Sequence, residues 1–238
     1  MKAVLLAAGK GERLRPLTKS LPKVMIPING KPILEYHVEM LAKAQIKDVF
    51  INLHHLPNQI KDYFKDGRKW HLRIHYSYEP EILGTAGAVK KLERELRPDP
   101  FLVIYGDNFL KIHYKDFIKY SEKKNGIGII AVFRKKAVKE SGIVSVGTSQ
   151  KIDRFVEKPK PEEVFSHWAN AGVYYFREKV FDFIEPKFSD FGLDVLPRIL
   201  NQGEELYAYK LKERVWAIDN LRLLKALRKN QEDGDLIK

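Results

Sequence analysis

Residues 2–7 are apolar without a break from Ala3 on, which predicts a strand buried on both faces and hence central in a parallel sheet. Residues 32–44 place Ile33, Leu34, Val38, Leu41 and Ala42 at helical intervals. A strand at 48–53, a short helix at 58–65 and a strand at 72–76 follow. Then come a helix at 85–96, closed by Pro98, and a strand at 101–105. Such strand–helix alternation implies an α/β fold, a mostly parallel sheet with helices on both faces. The second half changes character. Residues 127–133, the pair 142–146 and 151–156, and 171–176 pattern as antiparallel strands. Helices are expected at 179–184 and 193–200, a strand at 206–211 and a last helix at 221–229. No internal repeat or linker interrupts the chain, so 1–230 reads as a single domain, two lobes on one sheet, and 231–238 as a polar C-terminal tail.

Composition narrows the field. A chain of 238 residues can bury a real core, and the absence of cysteine excludes disulfides, thiolate metal sites and a cysteine nucleophile. The longest apolar runs, such as 127–133, are too short to span a bilayer, and the first strand runs straight into Gly9-Lys10-Gly11 rather than a leader-cleavage site. A cytoplasmic protein is expected. The seven histidines lack metal spacing, and no G-x-S-x-G nucleophile elbow occurs. The net charge of +12 is unevenly placed: Lys10, Arg13, Arg15, Lys19 and Lys23 crowd one glycine-containing segment opposed by Glu12 alone. No nucleic-acid motif accompanies these charges, so an anionic small molecule is the better expectation.

That segment, Leu6-Ala7-Ala8-Gly9-Lys10-Gly11-Glu12-Arg13-Leu14-Arg15-Pro16-Leu17-Thr18 with Pro22-Lys23, holds the strongest chemical signal. A strand ends in a loop whose two glycines let backbone N–H groups approach an anion, while Arg13 and Lys23 supply full charges. It is neither a dinucleotide fingerprint, because Leu14 stands where the third glycine would be, nor a P-loop, because no G-K-[ST] follows. Asp107, in Tyr105-Gly106-Asp107-Asn108, follows a predicted parallel strand, where open α/β sheets bind ligands. A hard carboxylate there suits Mg²⁺.

The glycine segment resembles the sugar-1-phosphate nucleotidyltransferases, whose pattern L-A-x-G-x-G-x-R-L-x-P-L-T followed by P-K is met residue for residue. The resemblance extends over about 1–228. It implies a Rossmann-like fold with a smaller antiparallel sugar-binding portion, and Mg²⁺-dependent transfer of a nucleotidyl group from an NTP to a hexose 1-phosphate. It implies nucleotide contacts from Leu6, Ala8, Gly9, Gly11, Gly84 and Thr85, and phosphate contacts from Arg13 and Lys23. Sugar-phosphate contacts would come from Glu157, Lys158 and Asn170, and metal ligation from Asp107.

The second metal ligand is expected at Asp219, although Trp216-Ala217-Ile218-Asp219-Asn220 departs from the common W-x-D-x-G-T; an N-cap for the last helix is the alternative. Glu79, five residues before Gly84, falls in the family's base-reading segment, where uracil and thymine users often carry Gln. A carboxylate accepts but does not donate, so it would meet the paired N1–H and N2–H₂ donors of guanine. The string Leu83-Gly84-Thr85-Ala86-Gly87 is similar to the guanylyltransferase branch. GTP and mannose 1-phosphate are thus the first expectation, and uridylyl or thymidylyl transfer to glucose 1-phosphate the alternative. A non-catalytic regulatory subunit of the same fold is the contrasting class. No appended β-helix, nucleic acid or membrane partner is expected, and a homo-oligomer is compatible with the family, though no apolar stripe marks an interface.

Overall fold

A computed structural model describes residues 1–232. The strands are β1 (Lys2–Leu6), β2 (Pro27–Ile28), β3 (Lys31–Pro32), β4 (Asp48–Leu53), β5 (Arg73–Tyr78), β6 (Phe101–Tyr105) and β7 (Asn108–Phe109). They continue with β8 (Gly128–Arg134), β9 (Ile143–Val146), β10 (Ile152–Val156), β11 (Trp168–Phe176), β12 (Leu206–Lys210) and β13 (Trp216–Ala217). The helices are α1 (Ile33–Lys43), α2 (Pro57–Phe64), α3 (Gly84–Lys90), α4 (Glu93–Leu96), α5 (Tyr114–Glu122), α6 (Leu196–Asn201) and α7 (Leu221–Glu232).

Nine strands form one mixed sheet in the order β10-β9-β11-β6-β1-β4-β5, with β8 on β11 and β12 parallel to β8. β1 lies parallel to both β4 and β6, and β11 returns antiparallel to β6. The chain leaves β1 toward β4 and β5, then crosses back to place β6 on the other side. The gap beyond the carboxyl ends of β1 and β6 is therefore a topological switch point, the position where such sheets open a ligand crevice.

Successive side chains of a strand point to opposite faces, so β1 feeds two cores. Ala3 and Leu5 join Leu34, Val38 and Leu41 of α1 and Ile60 and Phe64 of α2. Val4 joins Val89, Leu96, Leu196 and Ile199 from α3, α4 and α6. A third cluster joins Leu14 of the glycine segment, Phe109 of β7, Trp216 and Ile218 around β13, and Leu224 and Leu227 of α7. It ties together the three segments that carry Arg13, Asp107 and Asp219. Leu14 is fully buried in it. Leu14→Ala should cost roughly 2–5 kcal/mol of stability, read as a lower midpoint in urea unfolding.

The structure departs from the sequence reading in several places. The helix expected at 85–96 is interrupted because Leu92 N–H bonds the carbonyl of Val89, a tighter three-residue step. Residues 179–184 form a 3₁₀ segment, Glu178–Phe183, and the helix at 193–200 begins instead as a wide turn over Phe191–Val195. Helix α5 was not anticipated: it is polar apart from Tyr114, Phe117 and Ile118, yet the first two are buried one turn apart. The tail expected at 231–238 begins within α7, and its residues from 233 on lie outside the described residues. No described helix is long and apolar enough to cross a membrane.

Candidate active site

A cavity of 430 Å³ opens at the switch point, lined by Ala8, Gly9, Arg13, Lys23, Asp107 and Asp219. Glu157, Lys158, Asn170 and Asp190 line it as well. A larger cavity of 660 Å³ lies between α1 and residues 109–116, and no residue of the glycine loop lines it.

The glycine loop is shaped by Gly11, whose φ of +63° belongs to the left-handed region; a Cβ there would sit 2.9 Å from Thr18 Cγ2 and 3.1 Å from Lys23 Cβ. Thr18 Oγ1 donates to Gly11 O at 2.7 Å and fixes the turn. Lys23 is thereby brought into the cavity from a buried start; its residue is 8% exposed. Its ammonium bonds Asp107 Oδ2 and lies 2.8 Å from Asp219 Oδ1. Burial pulls the Lys23 ammonium down, but the two carboxylates more than offset this and hold it above the ordinary lysine range. Arg13 is more exposed, 3.4 Å from Asp219 and 3.5 Å from Glu140.

Two carboxylates separated by 112 positions thus meet at one ammonium. Asp107 follows β6, and its loop is supported by buried His37, whose Nε2–H donates to Asn108 O at 2.7 Å. Burial pushes the His37 imidazole down to about 4, so it stays neutral at ordinary pH. Asp219 follows β13, which pairs with β7 right after Asp107 (Ala217 opposite Asn108). The capping role weighed for Asp219 belongs to its neighbour: Asn220 Oδ1 accepts from Leu223 N at the start of α7. Burial works to raise the Asp219 carboxyl, but Lys23, Arg13 and Lys135 together hold it below the usual carboxylate range.

Among the described residues no three His, Asp or Glu side chains form a metal cluster. Two carboxylates converging beside the glycine loop fit Mg²⁺, which takes one or two protein carboxylates and fills the rest of its shell with water or phosphate oxygens.

Of the residues expected to contact nucleotide, Leu6, Ala8, Gly9, Gly84 and Thr85 line the cavity, together with Asn52 and Tyr105. Gly84 has φ +76°, and a Cβ on it would lie 2.3 Å from Ser189 O. Gly11 is held behind the loop rather than on the wall. Glu79 corrects the sequence reading. It is 0% exposed and does not line the cavity. Its Oε1 accepts from Asn52 Nδ2 at 2.8 Å and its Oε2 from Leu83 N at 3.0 Å. Asn52 Oδ1 in turn accepts from Ala7 N at 2.6 Å. The carboxylate is committed to joining β1, β4 and the 79–83 turn, so the argument from Glu79 to guanine loses its accepting group.

On the other side, Asn170 sits on β11 where the pairing with β8 slips between Asn170 and Tyr174. Its Nδ2 donates to Tyr174 Oη at 2.6 Å and its Oδ1 accepts from Gly172 N at 2.9 Å. Lys158 is exposed with φ +48°, its N–H on Ser141 O at 3.2 Å. Burial, with Asp190 adding to it and Lys158 opposing it, pushes the Glu157 carboxyl up to about 7 from 4.5. The folded state therefore holds this proton more tightly than the unfolded chain does. That contribution is complete below pH 4.5 and is lost as pH rises to about 7. Glu157→Gln escapes the loss. It should match the wild type near pH 4 and exceed it by on the order of 2 kcal/mol above pH 7, a crossover visible in melting temperatures across pH.

Sequence reasoning passed over Asn52, Glu140 and Asp190, which line the cavity, and Lys135, whose Nζ donates to the cavity-lining Ser141 Oγ at 2.7 Å. Nothing in their local sequence sets them apart; Asp190, for instance, comes to the site through a contact with Thr85, 105 positions away.

Comparison with known proteins agrees with this geometry. Residues 2–217 match the family described as nucleotidyl transferase. The chain is 35% identical over 226 residues to a UTP–glucose-1-phosphate uridylyltransferase of Synechocystis, covering 89% of this chain and 58% of that protein. It is 33% identical over 217 residues to mannose-1-phosphate guanyltransferase 2 of Candida glabrata, covering 89% of this chain and 59% of that protein. The chain thus spans a little under three-fifths of the length of these relatives. A solved structure, a glucose-1-phosphate thymidylyltransferase from Bacillus anthracis, superposes with a TM-score of 0.86 at 22% identity, covering 100% of this chain and 98% of that one. At that identity the likeness concerns the fold. The chain therefore belongs to the nucleotidyl transferase family, as the resemblance of its glycine segment to the sugar-1-phosphate nucleotidyltransferases implied.

Proposed function

We propose that the protein transfers the nucleotidyl group of an NTP to a hexose 1-phosphate, giving an NDP-sugar and pyrophosphate. One observation carries the reading: ion pairs join Arg13, Lys23, Asp107 and Asp219 on the wall of a cavity that Glu157, Lys158 and Asn170 also line. A polyphosphate needs clustered cations and a metal-binding carboxylate pair, while a sugar needs hydroxyl acceptors and donors. A phosphate monoester dianion is already a competent nucleophile, so the reaction calls for positioning and charge stabilisation rather than a general base.

In this reading Arg13, the more exposed of the two cations, holds the β- and γ-phosphates that depart. Lys23 neutralises the α-phosphate as the attacking oxygen approaches in line. Lys158 orients the sugar phosphate, and Glu157 and Asn170 bind sugar hydroxyls. Asp107 and Asp219 would hold Mg²⁺, which when bound supplies charge neutralisation on the phosphates. The relatives support the class and divide over the substrate, with uridylyl transfer to glucose 1-phosphate in one and guanylyl transfer to mannose 1-phosphate in another. With Glu79 turned into the fold, the base and the sugar are left to experiment.

The test is pyrophosphate release with Mg²⁺ over a grid of common NTPs and hexose 1-phosphates. Release that requires both partners supports the reading. Release from NTP alone, or none with any pair, contradicts it.

A further inference from the structure

Residues 187–193 connect the first turn of α3 to the surroundings of Glu157. The backbone of Ser189 is bonded in both directions to the start of α3: its N–H donates to Leu83 O at 2.9 Å, and its carbonyl accepts from Ala86 N at 2.9 Å and Gly87 N at 3.1 Å. Next to it, Thr85 Oγ1 donates to Asp190 Oδ2 at 2.9 Å and accepts from Phe191 N at 2.9 Å. The other oxygen of Asp190 caps Gly192 N and Leu193 N at 2.8 and 3.1 Å. Gly192 then presses on the sugar side: a Cβ on it would lie 2.6 Å from Glu157 Oε2. Phe188, Asp190 and Leu193 of this segment line the cavity themselves, and Phe188 and Leu193 are about three-fifths exposed, at 61% and 62%.

An unbroken set of contacts therefore runs from Gly84 and Thr85, through Ser189 and Asp190, to Gly192 and Glu157. A shift of α3's first turn cannot occur without moving the wall beside Glu157. Two phosphate-bearing ligands in adjoining subsites repel each other, so any mutual tightening must be supplied around them.

We propose that Thr85 and Asp190 are positioning residues that latch the nucleotide wall to the sugar wall, so that the NTP and the sugar phosphate bind cooperatively. The proposal rests on the assignment of Gly84 to the nucleotide side and Glu157 to the sugar side. The hydroxyl of Thr85 is its key, because it both donates to Asp190 and accepts from Phe191. Valine keeps the shape and loses both bonds.

The experiment is calorimetric titration of an α,β-methylene NTP analogue, with and without saturating sugar 1-phosphate at constant Mg²⁺, using the pair that the wild type turns over. The ratio of the two Kd values reads the coupling, whatever a variant does to either affinity alone. The sugar phosphate should tighten the analogue at least about fivefold in the wild type. The ratio should fall below about twofold in Thr85→Val and be retained in Thr85→Ser. Thr85→Ala, smaller and free of packing conflict, must behave as valine does and serves if the valine variant does not fold. A wild-type ratio near one, or an unchanged ratio in the valine or alanine variant, overturns the latch while leaving the catalytic reading intact. Absence of turnover with every pair overturns the catalytic reading itself, and the latch with it.

Discussion

Asp107→Ala should lower pyrophosphate release by at least about 10²–10³-fold while shifting the melting temperature by no more than a few degrees. The size follows from what the carboxylate does. In a site whose work is charge stabilisation of transferring phosphate, removing one preorganised charged group costs on the order of 3–4 kcal/mol of barrier. The small effect on folding follows from its surroundings. Asp107 is partly exposed, with a side chain 29% accessible, and its partner Lys23 keeps a second carboxylate in Asp219 at 2.8 Å. Raising Mg²⁺ should recover part of the activity of Asp107→Asn, which keeps one oxygen ligand, more than that of Asp107→Ala. Near-normal turnover of the alanine variant in Mg²⁺ would remove Asp107 from the metal site.

Lys23→Ala should depress kcat by a comparable factor, and by more than it raises the KM for the sugar phosphate. Lys23 is fixed on three sides, by the loop wall at Gly11 and by Asp107 and Asp219. A cation held so rigidly stabilises charge that develops during transfer without reorganising, which appears in kcat. Lys158 offers the contrast. It is exposed on its own short turn after β10, and Lys158→Ala should act mainly on the KM of the sugar phosphate. A pure sugar KM effect from Lys23→Ala would exchange the two roles. Loss of Lys23 also removes the cation shared by Asp107 and Asp219, leaving Arg13 and Lys135 beside Asp219 alone, so Lys23→Arg is the control that keeps the charge. It should retain the fold and recover only part of kcat, since a planar fork does not match the point contact of an ammonium.

What was legible in the sequence was whatever lies close along the chain. Strand β1 flows directly into the glycine loop, and β6 into Asp107, so apolar runs followed by Gly and Asp marked the two loops that meet at the switch point. The 3.6-residue spacing in 33–42 marked α1 for the same reason. Helix α5 was missed because its mostly polar sequence hides two buried anchors.

Tertiary partners were the larger blind spot. Glu79 looked like a free acceptor because its side-chain donor, Asn52, stands 27 positions earlier, and only the fold of the 79–83 turn brings the Leu83 N–H onto its other oxygen. Asp219 and Asn220 are adjacent and equally fit to cap a helix, and only the pairing of β13 with β7 decides which one turns inward. Asp190 carries no motif at all, and its place is set by a hydrogen bond from Thr85, 105 positions away in the chain.

The central claim is that the bond between the α- and β-phosphates breaks and the α-phosphate goes to the sugar phosphate. It is tested most directly by following label in a single turnover with the active pair. Label at the α-phosphorus of the NTP should appear in the NDP-sugar, and label at the γ-phosphorus should appear wholly in pyrophosphate. Transfer of γ-label to the sugar, or its release as orthophosphate, would mean a different bond is broken and would contradict the account.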